Sequence, residues 1–185
     1  MAQRFDELET ARLRMRRWRP ADREPFAALN ADPEVMRYFP QVRDRAASDA
    51  SIERFESRFE EQGYGLWALE RLADSAFLGF AGLNPMPSGT PGAGEMEVGW
   101  RLARSAWGHG YATEAGAMAL RIGFTEVGLP RVWSITAVGN VRSQAVMRRL
   151  GLHEHSRYPH PTLPPDHELS QQVAYLKRRE GATAP

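Results

Sequence analysis

Two glycines one residue apart, Gly108 and Gly110, separate a strand-like segment from a helix-periodic one, and no other feature of the chain restricts its fold so tightly. Glycine turns a backbone where a Cβ would clash and lets another group approach the main chain. The helix that follows directs its unpaired N–H groups, and the positive end of its dipole, into the turn. Such an arrangement suits a phosphate. The spacing excludes two common phosphate readers. There is no G-x-x-x-x-G-K-[ST], and the only lysine, Lys177, lies far along the chain. A dinucleotide fingerprint needs a third glycine where Thr113 stands. On the glycines alone, a tight turn that binds nothing is an equal alternative.

A single domain over 1–185 accounts for the chain, with 42% hydrophobic and 25% charged residues as in ordinary globular proteins. No apolar run approaches the ~18 residues of a membrane span. Residues 1–7 lack the apolar stretch of a secretory signal. The chain has no cysteine, which excludes disulfides and thiolate metal sites. A cytoplasmic protein without a membrane partner is expected. The net charge of +1 gives no global attraction to nucleic acid. Arg12, Arg14, Arg16, Arg17 and Arg19 interleave with Leu13, Met15 and Trp18, the pattern of a strand with a solvated arginine face.

Residues 10–18 alternate as a half-buried strand. Pro20 opens a helix bearing Phe26 and Leu29; Asp32-Pro33 starts a short second helix through Val35, Met36 and Phe39 that Pro40 ends. Ser48 or Asp49 caps a longer helix with Ile52, Phe55 and Phe59 on one face, ending near Gly63. Residues 66–71 and 77–83 form a hairpin around Ala73-Asp74-Ser75, a Pro- and Gly-rich loop occupies 84–94, and 95–102 is the third strand of this meander. After the glycine turn a helix runs through Ala115, Met118, Ala119, Ile122 and Phe124 to Gly128-Leu129-Pro130. A strand over 131–138, a helix over 140–150 stopped by Gly151, a Pro- and His-rich loop over 159–167 and a strand over 169–176 follow. The last nine residues are expected to fray. This order predicts an α+β protein, a mixed and mostly antiparallel sheet flanked by helices, with the glycine turn at a strand-to-helix crossover.

The run Glu97-Val98-Gly99-Trp100-Arg101-Leu102, then Trp107-Gly108-His109-Gly110-Tyr111-Ala112-Thr113-Glu114-Ala115, resembles the GNAT acyl-CoA N-acyltransferase superfamily. Within it the chain resembles the ribosomal-protein N-acetyltransferase branch, RimJ/RimL-like, over nearly its whole length. Thr10-Ala11-Arg12-Leu13-Arg14-Met15-Arg16 is similar to the branch's first strand and Asp32-Pro33-Glu34-Val35 to its second helix. Leu78-Gly79-Phe80-Ala81-Gly82-Leu83 is similar to its third strand. Asn140-Val141-Arg142-Ser143, leading to Arg149-Leu150-Gly151-Leu152, is similar to its Asn-x-x-Ser helix and the strand after it.

The resemblance implies a GNAT fold, acetyl-CoA as acyl donor and a primary amine as acceptor. It implies that main-chain N–H groups of Gly108, His109, Gly110, Tyr111, Ala112 and Thr113 hold the pyrophosphate of coenzyme A. Trp107 stands at the turn's first position, where the superfamily often has Gln or Arg. His109 falls where Lys is common and is expected to face solvent. The main chain of Trp100 and Leu102 would pair with the pantetheine arm as a strand does. Asn140 suits a helix N-cap by its type and position; the resemblance adds a bond to pantetheine, with Ser143 one turn later pointing toward the sulfur.

Acyl transfer to an amine needs a neutral nucleophile, a donor for the developing oxyanion and an acid for the departing thiolate. By resemblance Glu97 is the candidate base, acting through water; a solvated strand carboxylate is the alternative reading. Glu95 projects to the same side and is the fallback. Where many superfamily members carry a tyrosine acid this sequence has Met147, and in the branch the role passes to Ser143. An N–H of Val98, Gly99 or Trp100 would polarise the thioester. Without cysteine, direct transfer in a ternary complex is expected. His153, His155, His160 and His167 match no metal-ligand pattern and read as a surface loop. Three functions stay open: acetylation of a protein N-terminus, acetylation of a small amine such as an antibiotic, polyamine or amino acid, and a non-catalytic acyl-CoA-binding module that Met147 keeps in play. A homodimer is an expectation from family habit alone.

Overall fold

Leu13 and Met15 alternate with Arg14 and Arg16 along β2 (Leu13–Arg16), and that alternation decides which side chains enter the core. In the computed structural model, which describes residues 4–181, Leu13 and Met15 have no exposed surface. The arginine face is not fully solvated, however. Arg16 is buried between Asp22, 2.7 Å from its Nη1, and Glu70, 2.8 Å from its Nε. A guanidinium can enter the interior here because two buried carboxylates meet it with directed hydrogen bonds.

The chain divides into two compact units, Met1–Gly82 with Trp100–Ala115, and Leu83–Gly99 with Gly116–Pro185. The first unit holds β1 (Glu7–Glu9), β2, α1 (Arg23–Ala31), α2 (Arg45–Gln62) and β3 (Leu66–Arg71). It also holds the first part of β4 (Phe77–Pro85), the end of β5 (Met96–Leu102) and the start of α3 (Tyr111–Arg121). Its core is aromatic. Trp18 lies 4.8 Å from Phe26 and 5.6 Å from Phe55, and its indole N–H donates to the Leu66 carbonyl at 2.8 Å. Burying each such ring contributes roughly 1.5–3 kcal/mol.

The second unit carries the remainder of those three elements with β6 (Arg131–Ala137), α4 (Val141–Arg149), β7 (His153–Pro159) and β8 (Gln171–Arg178). Met86, Trp133, Ala174 and Leu176 form one apolar cluster, against which Tyr158 packs. The sheet order is β1-β2-β3-β4-β5-β6-β8-β7. The β5–β6 pair is parallel, with Glu97 opposite Trp133, and the β6–β8 and β7–β8 pairs are antiparallel. Parallel neighbours need a crossover, and α3 supplies it. Among the described residues no helix is long and apolar enough to cross a membrane.

Several boundaries depart from the sequence pattern for local reasons. Residues 32–41 form successive turns rather than a second helix. The Met36 N–H bonds the Asp32 carbonyl at 3.0 Å and the Phe39 N–H bonds that of Met36 at 2.8 Å, so no helical ladder propagates. One turn does not repay helix nucleation, Pro33 and Pro40 lack donors, and burial of Val35 and Met36 fixes the segment instead. α2 starts earlier than Ser48 because Asp44 caps it, its carboxylate accepting from the Ala47 N–H at 2.8 Å. The Ser48 hydroxyl, inside the helix, donates back to the Asp44 carbonyl. At the other end of the chain β8 takes in Lys177 and Arg178, so the strand reaches into the segment expected to fray; residues 182–185 lie outside the described residues.

Candidate active site

In the first unit, Gly108 and Gly110 each have φ of +81°, a left-handed conformation strained for any residue with a Cβ. A Cβ on Gly108 would meet no heavy atom within 4 Å, so the backbone angle, not packing, requires glycine, and the space outside it is open. Among the described residues the N–H groups of Gly108, His109 and Gly110 donate to no protein acceptor. Those of Tyr111, Ala112 and Thr113 belong to the first turn of α3, where helical partners do not exist. The result is a run of main-chain donors at a helix N-terminus, with open space beside Gly108.

The turn is braced from behind. Arg12 Nη1 donates to the His109 carbonyl at 2.9 Å and Arg12 Nε to Glu114 at 2.7 Å. The Glu114 carboxylate also accepts from the Thr10 hydroxyl at 2.6 Å and the Arg12 N–H at 2.9 Å. Burial opposes its ionisation, but Thr10 and Arg12 outweigh that and hold it below the usual carboxylate range. Glu114 is thus neutralised and does not repel an anion at the turn. The Arg12 guanidinium covers the buried Tyr111 ring at 4.8 Å, and exposed His109 stacks on the same ring at 5.6 Å. Trp107 plays a structural part, since its indole N–H donates to the Leu102 carbonyl at 2.9 Å and its ring packs against the Trp18 cluster. One lone pair of the Leu102 carbonyl is therefore already used. Trp100 is half-buried.

In the second unit, Asn140 caps α4. Its side-chain oxygen accepts from the Ser143 N–H at 3.2 Å and its amide donates to the Thr136 hydroxyl at 2.9 Å. One amide hydrogen remains for any other partner. Ser143 is half-buried and Met147 buried on the same helix.

Glu97 is the chemically distinctive residue of this unit. It keeps some accessible surface, yet protein surrounds its carboxyl closely. This desolvation raises its carboxyl from 4.5 to about 7, against a lowering hydrogen bond from Asn84 Nδ2 at 3.2 Å. A Cβ on Gly99, two residues on along the same strand face, would meet nothing within 4 Å. Glu95 is placed differently. Arg131 grips it with two bonds of 2.6 and 2.7 Å and the Trp133 indole donates to it at 2.9 Å. Burial opposes the Glu95 charge, but Arg131 and Trp133 prevail and hold the carboxyl low. A carboxylate so committed is a poor base, so the two glutamates are unequal.

Tyr158 on β7 is the residue that sequence reading missed. Burial, with the Glu97 charge adding to it, pushes its phenol up to about 12, so it stays a proton donor at neutral pH. No local pattern in the Pro- and His-rich stretch could reveal this, because the register of β6, β8 and β7 brings it there. Among the described residues no group of three or more His, Cys, Asp or Glu is placed to hold a metal. His160 and His167 instead accept main-chain N–H bonds from Thr162 and Leu169 and shape their loop.

Left-handed glycines, unclaimed N–H groups and a neutralised Glu114 fit a pyrophosphate, which tests the coenzyme A expectation on this chain's own geometry. Residues 12–153 match the model of the acetyltransferase (GNAT) domain. The chain is 32% identical to the uncharacterized protein YkkB of Bacillus subtilis, over 80% of this chain and 85% of that one. It is 30% identical to an FsC-acetyl coenzyme A-N(2)-transacetylase of Aspergillus fumigatus, over 94% of this chain and 76% of that one. Among solved structures, an acetyltransferase from Agrobacterium tumefaciens superposes with a TM-score of 0.76 at 24% identity, covering 94% of each chain. RimL, a ribosomal L7/L12 α-N-protein acetyltransferase in complex with coenzyme A, superposes at 0.71 and 14% identity, covering 92% of this chain and 96% of that one. A match over most of the chain makes this protein a member of the GNAT acetyltransferase family.

Proposed function

We propose that the protein transfers the acetyl group of acetyl-CoA directly to a primary amine in a ternary complex, its two units working as one cytoplasmic acetyltransferase domain. The observation that carries the reading is Glu97, a desolvated carboxyl brought to about 7 on the open face of β5. A base works best when its pKa lies near the working pH, since it is then ionised yet still draws a proton. Glu95, held by Arg131, does not meet that condition.

The N–H groups of Gly108 to Thr113 would hold the pyrophosphate, and the main chain of Trp100 and Leu102 with the free amide hydrogen of Asn140 would hold the pantetheine arm. Bound acetyl-CoA supplies an activated acyl carbon. Glu97 accepts a proton from the incoming ammonium or amine, directly or through a water. An N–H of Val98, Gly99 or Trp100 polarises the carbonyl oxygen. The Ser143 hydroxyl would hydrogen-bond the departing sulfur and relay to it a proton replaced from solvent, the role that Met147 cannot fill.

The RimJ/RimL-like motifs favour a protein N-terminus as acceptor; the 30% identity to an FsC-acetyl coenzyme A-N(2)-transacetylase keeps acetylation of another kind of amine as the second reading. Thiol release from acetyl-CoA over a panel of primary amines tests the common claim. Wild type turns over at least one amine, and Glu97→Gln loses at least ~100-fold in rate while binding acetyl-CoA as before by calorimetry. Tight acetyl-CoA binding with no turnover on any amine would leave the non-catalytic binding module as the function.

A further inference from the structure

Three arginines of the first unit gather where no carboxylate meets them. Arg43 Nη1 and Arg54 Nη2 donate to a single hydroxyl, Ser51 Oγ, at 3.0 and 2.9 Å. Arg101 Nη1 donates to the Asn30 side-chain oxygen at 2.6 Å, and the Asn30 carbonyl accepts the Arg43 N–H at 3.0 Å. Asn30 is fully buried and passes its amide hydrogen to Ser48 Oγ at 3.0 Å. Among the described residues, every side-chain oxygen that these three guanidiniums meet is neutral.

The acids of α2 are engaged elsewhere. Asp44 caps the helix, Asp49 pairs with Arg23 and Arg45, and Glu56 and Glu60 pair with Arg17. The three cations act on one another instead. Burial, then Arg54, holds Arg43 below the usual guanidinium range. Burial, then Arg43, lowers Arg101 to about 9, which leaves it protonated at neutral pH. Like charges kept together away from bulk water are costly, and an anion from outside removes that cost.

The surface of the cluster says what such an anion would be attached to. Arg54 is exposed and Arg43 half-buried. Arg43 Nε and Nη2 bond no protein group and are not sealed from solvent, whereas Arg101 Nε is sealed. Phe39 and Val42 are among the few large apolar side chains left exposed, and the Phe39 ring lies 4.1 Å from the Arg101 carbon centre.

We propose that Arg43 and Arg54, with Arg101 adding its charge from behind, bind the phosphate of a small phosphate monoester whose apolar or aromatic group rests on Phe39 and Val42. Such a phosphate carries about −1.5 to −2 charges and three acceptor oxygens. It answers two accessible guanidinium forks and most of the charge behind them. A single carboxylate balances one charge of the three. The inference goes beyond the acetyl-transfer reading and does not rest on it, and its residues all lie in the first unit.

Calorimetry with phenyl phosphate tests this on the full chain at low ionic strength. Saturating coenzyme A is present, so that the glycine turn is already filled. Wild type binds one phenyl phosphate per chain with a Kd below ~1 mM. Benzoate, which keeps the ring and lowers the charge, binds at least about tenfold more weakly. Arg43→Gln and Arg54→Gln each weaken phenyl phosphate by at least about tenfold. Arg54→Gln changes an exposed residue and relieves a repulsion, so its ligand-free Tm does not fall. Arg45→Gln, on the same helix but paired with Glu24 and Asp49, binds phenyl phosphate as wild type does. No saturable binding, unchanged binding in Arg54→Gln, or benzoate as tight as phenyl phosphate overturns the inference. So does binding that coenzyme A abolishes and dephospho-coenzyme A permits, which would give the arginines to the donor's own phosphate. A chain that binds no coenzyme A counts against the acetyl-transfer reading alone, and the same variants then decide the phosphate site in its absence.

Discussion

Replacing Glu97 with glutamine should make the protein more stable at alkaline pH while removing its chemistry. In the folded state the carboxyl sits at about 7 instead of 4.5, because burial penalises its charge. At ~1.36 kcal/mol per pH unit this difference corresponds to about 3 kcal/mol. The neutral carboxyl favours the folded state, so its contribution is fully present below pH 4.5 and lost as pH rises through about 7. Glutamine cannot ionise and can still accept the Asn84 hydrogen bond, so Glu97→Gln escapes the loss. The stability gain over wild type should be small at pH 5 and approach about 3 kcal/mol at pH 8. For a chain of this length that is roughly 6–12 °C in Tm, reduced somewhat by the accessible part of the side chain. Thermal unfolding of both proteins at the two pH values reads it directly. An equal Tm difference at pH 5 and pH 8 would refute the claim that Glu97 is desolvated.

Gly108→Ala forces a Cβ into φ of +81° without creating a clash. It should cost roughly 1–2 kcal/mol of backbone strain, seen in thermal unfolding, and weaken acetyl-CoA binding in calorimetry by disturbing the donors of the turn. Glu70→Gln removes the charge that meets Arg16 at 2.8 Å and Arg14 at 3.0 Å. Both Arg16 and Glu70 are buried, so urea unfolding should show a loss of about 3 kcal/mol.

What was legible in the sequence is what local chain geometry decides. Alternation placed the strands of the meander, the G-x-G spacing placed the turn, and Asn140 after Gly139 announced the cap that the structure shows. What was not legible depends on groups distant in sequence. Residues 32–41 carry a helix-like signature, but Val35 and Met36 are held by packing that no local rule contains. Arg16 reads as a surface residue until Asp22 and Glu70 close over it. Glu97 and Glu95 are equivalent by alternation, and only Arg131 on a neighbouring strand separates a poised carboxyl from a committed one. Tyr158 was invisible for the same reason, because sheet register brings it in.

The most direct test of the central claim is the pH dependence of kcat/KM for acetyl transfer between pH 5 and 9. The account predicts a rising limb with an apparent pKa near 7 in wild type, absent in Glu97→Gln. In Asn84→Ala the limb moves to higher pH, because the lost donor had favoured the charged carboxylate. A wild-type limb that stays unmoved when Asn84 is removed, or that persists in Glu97→Gln, would contradict Glu97 as the base.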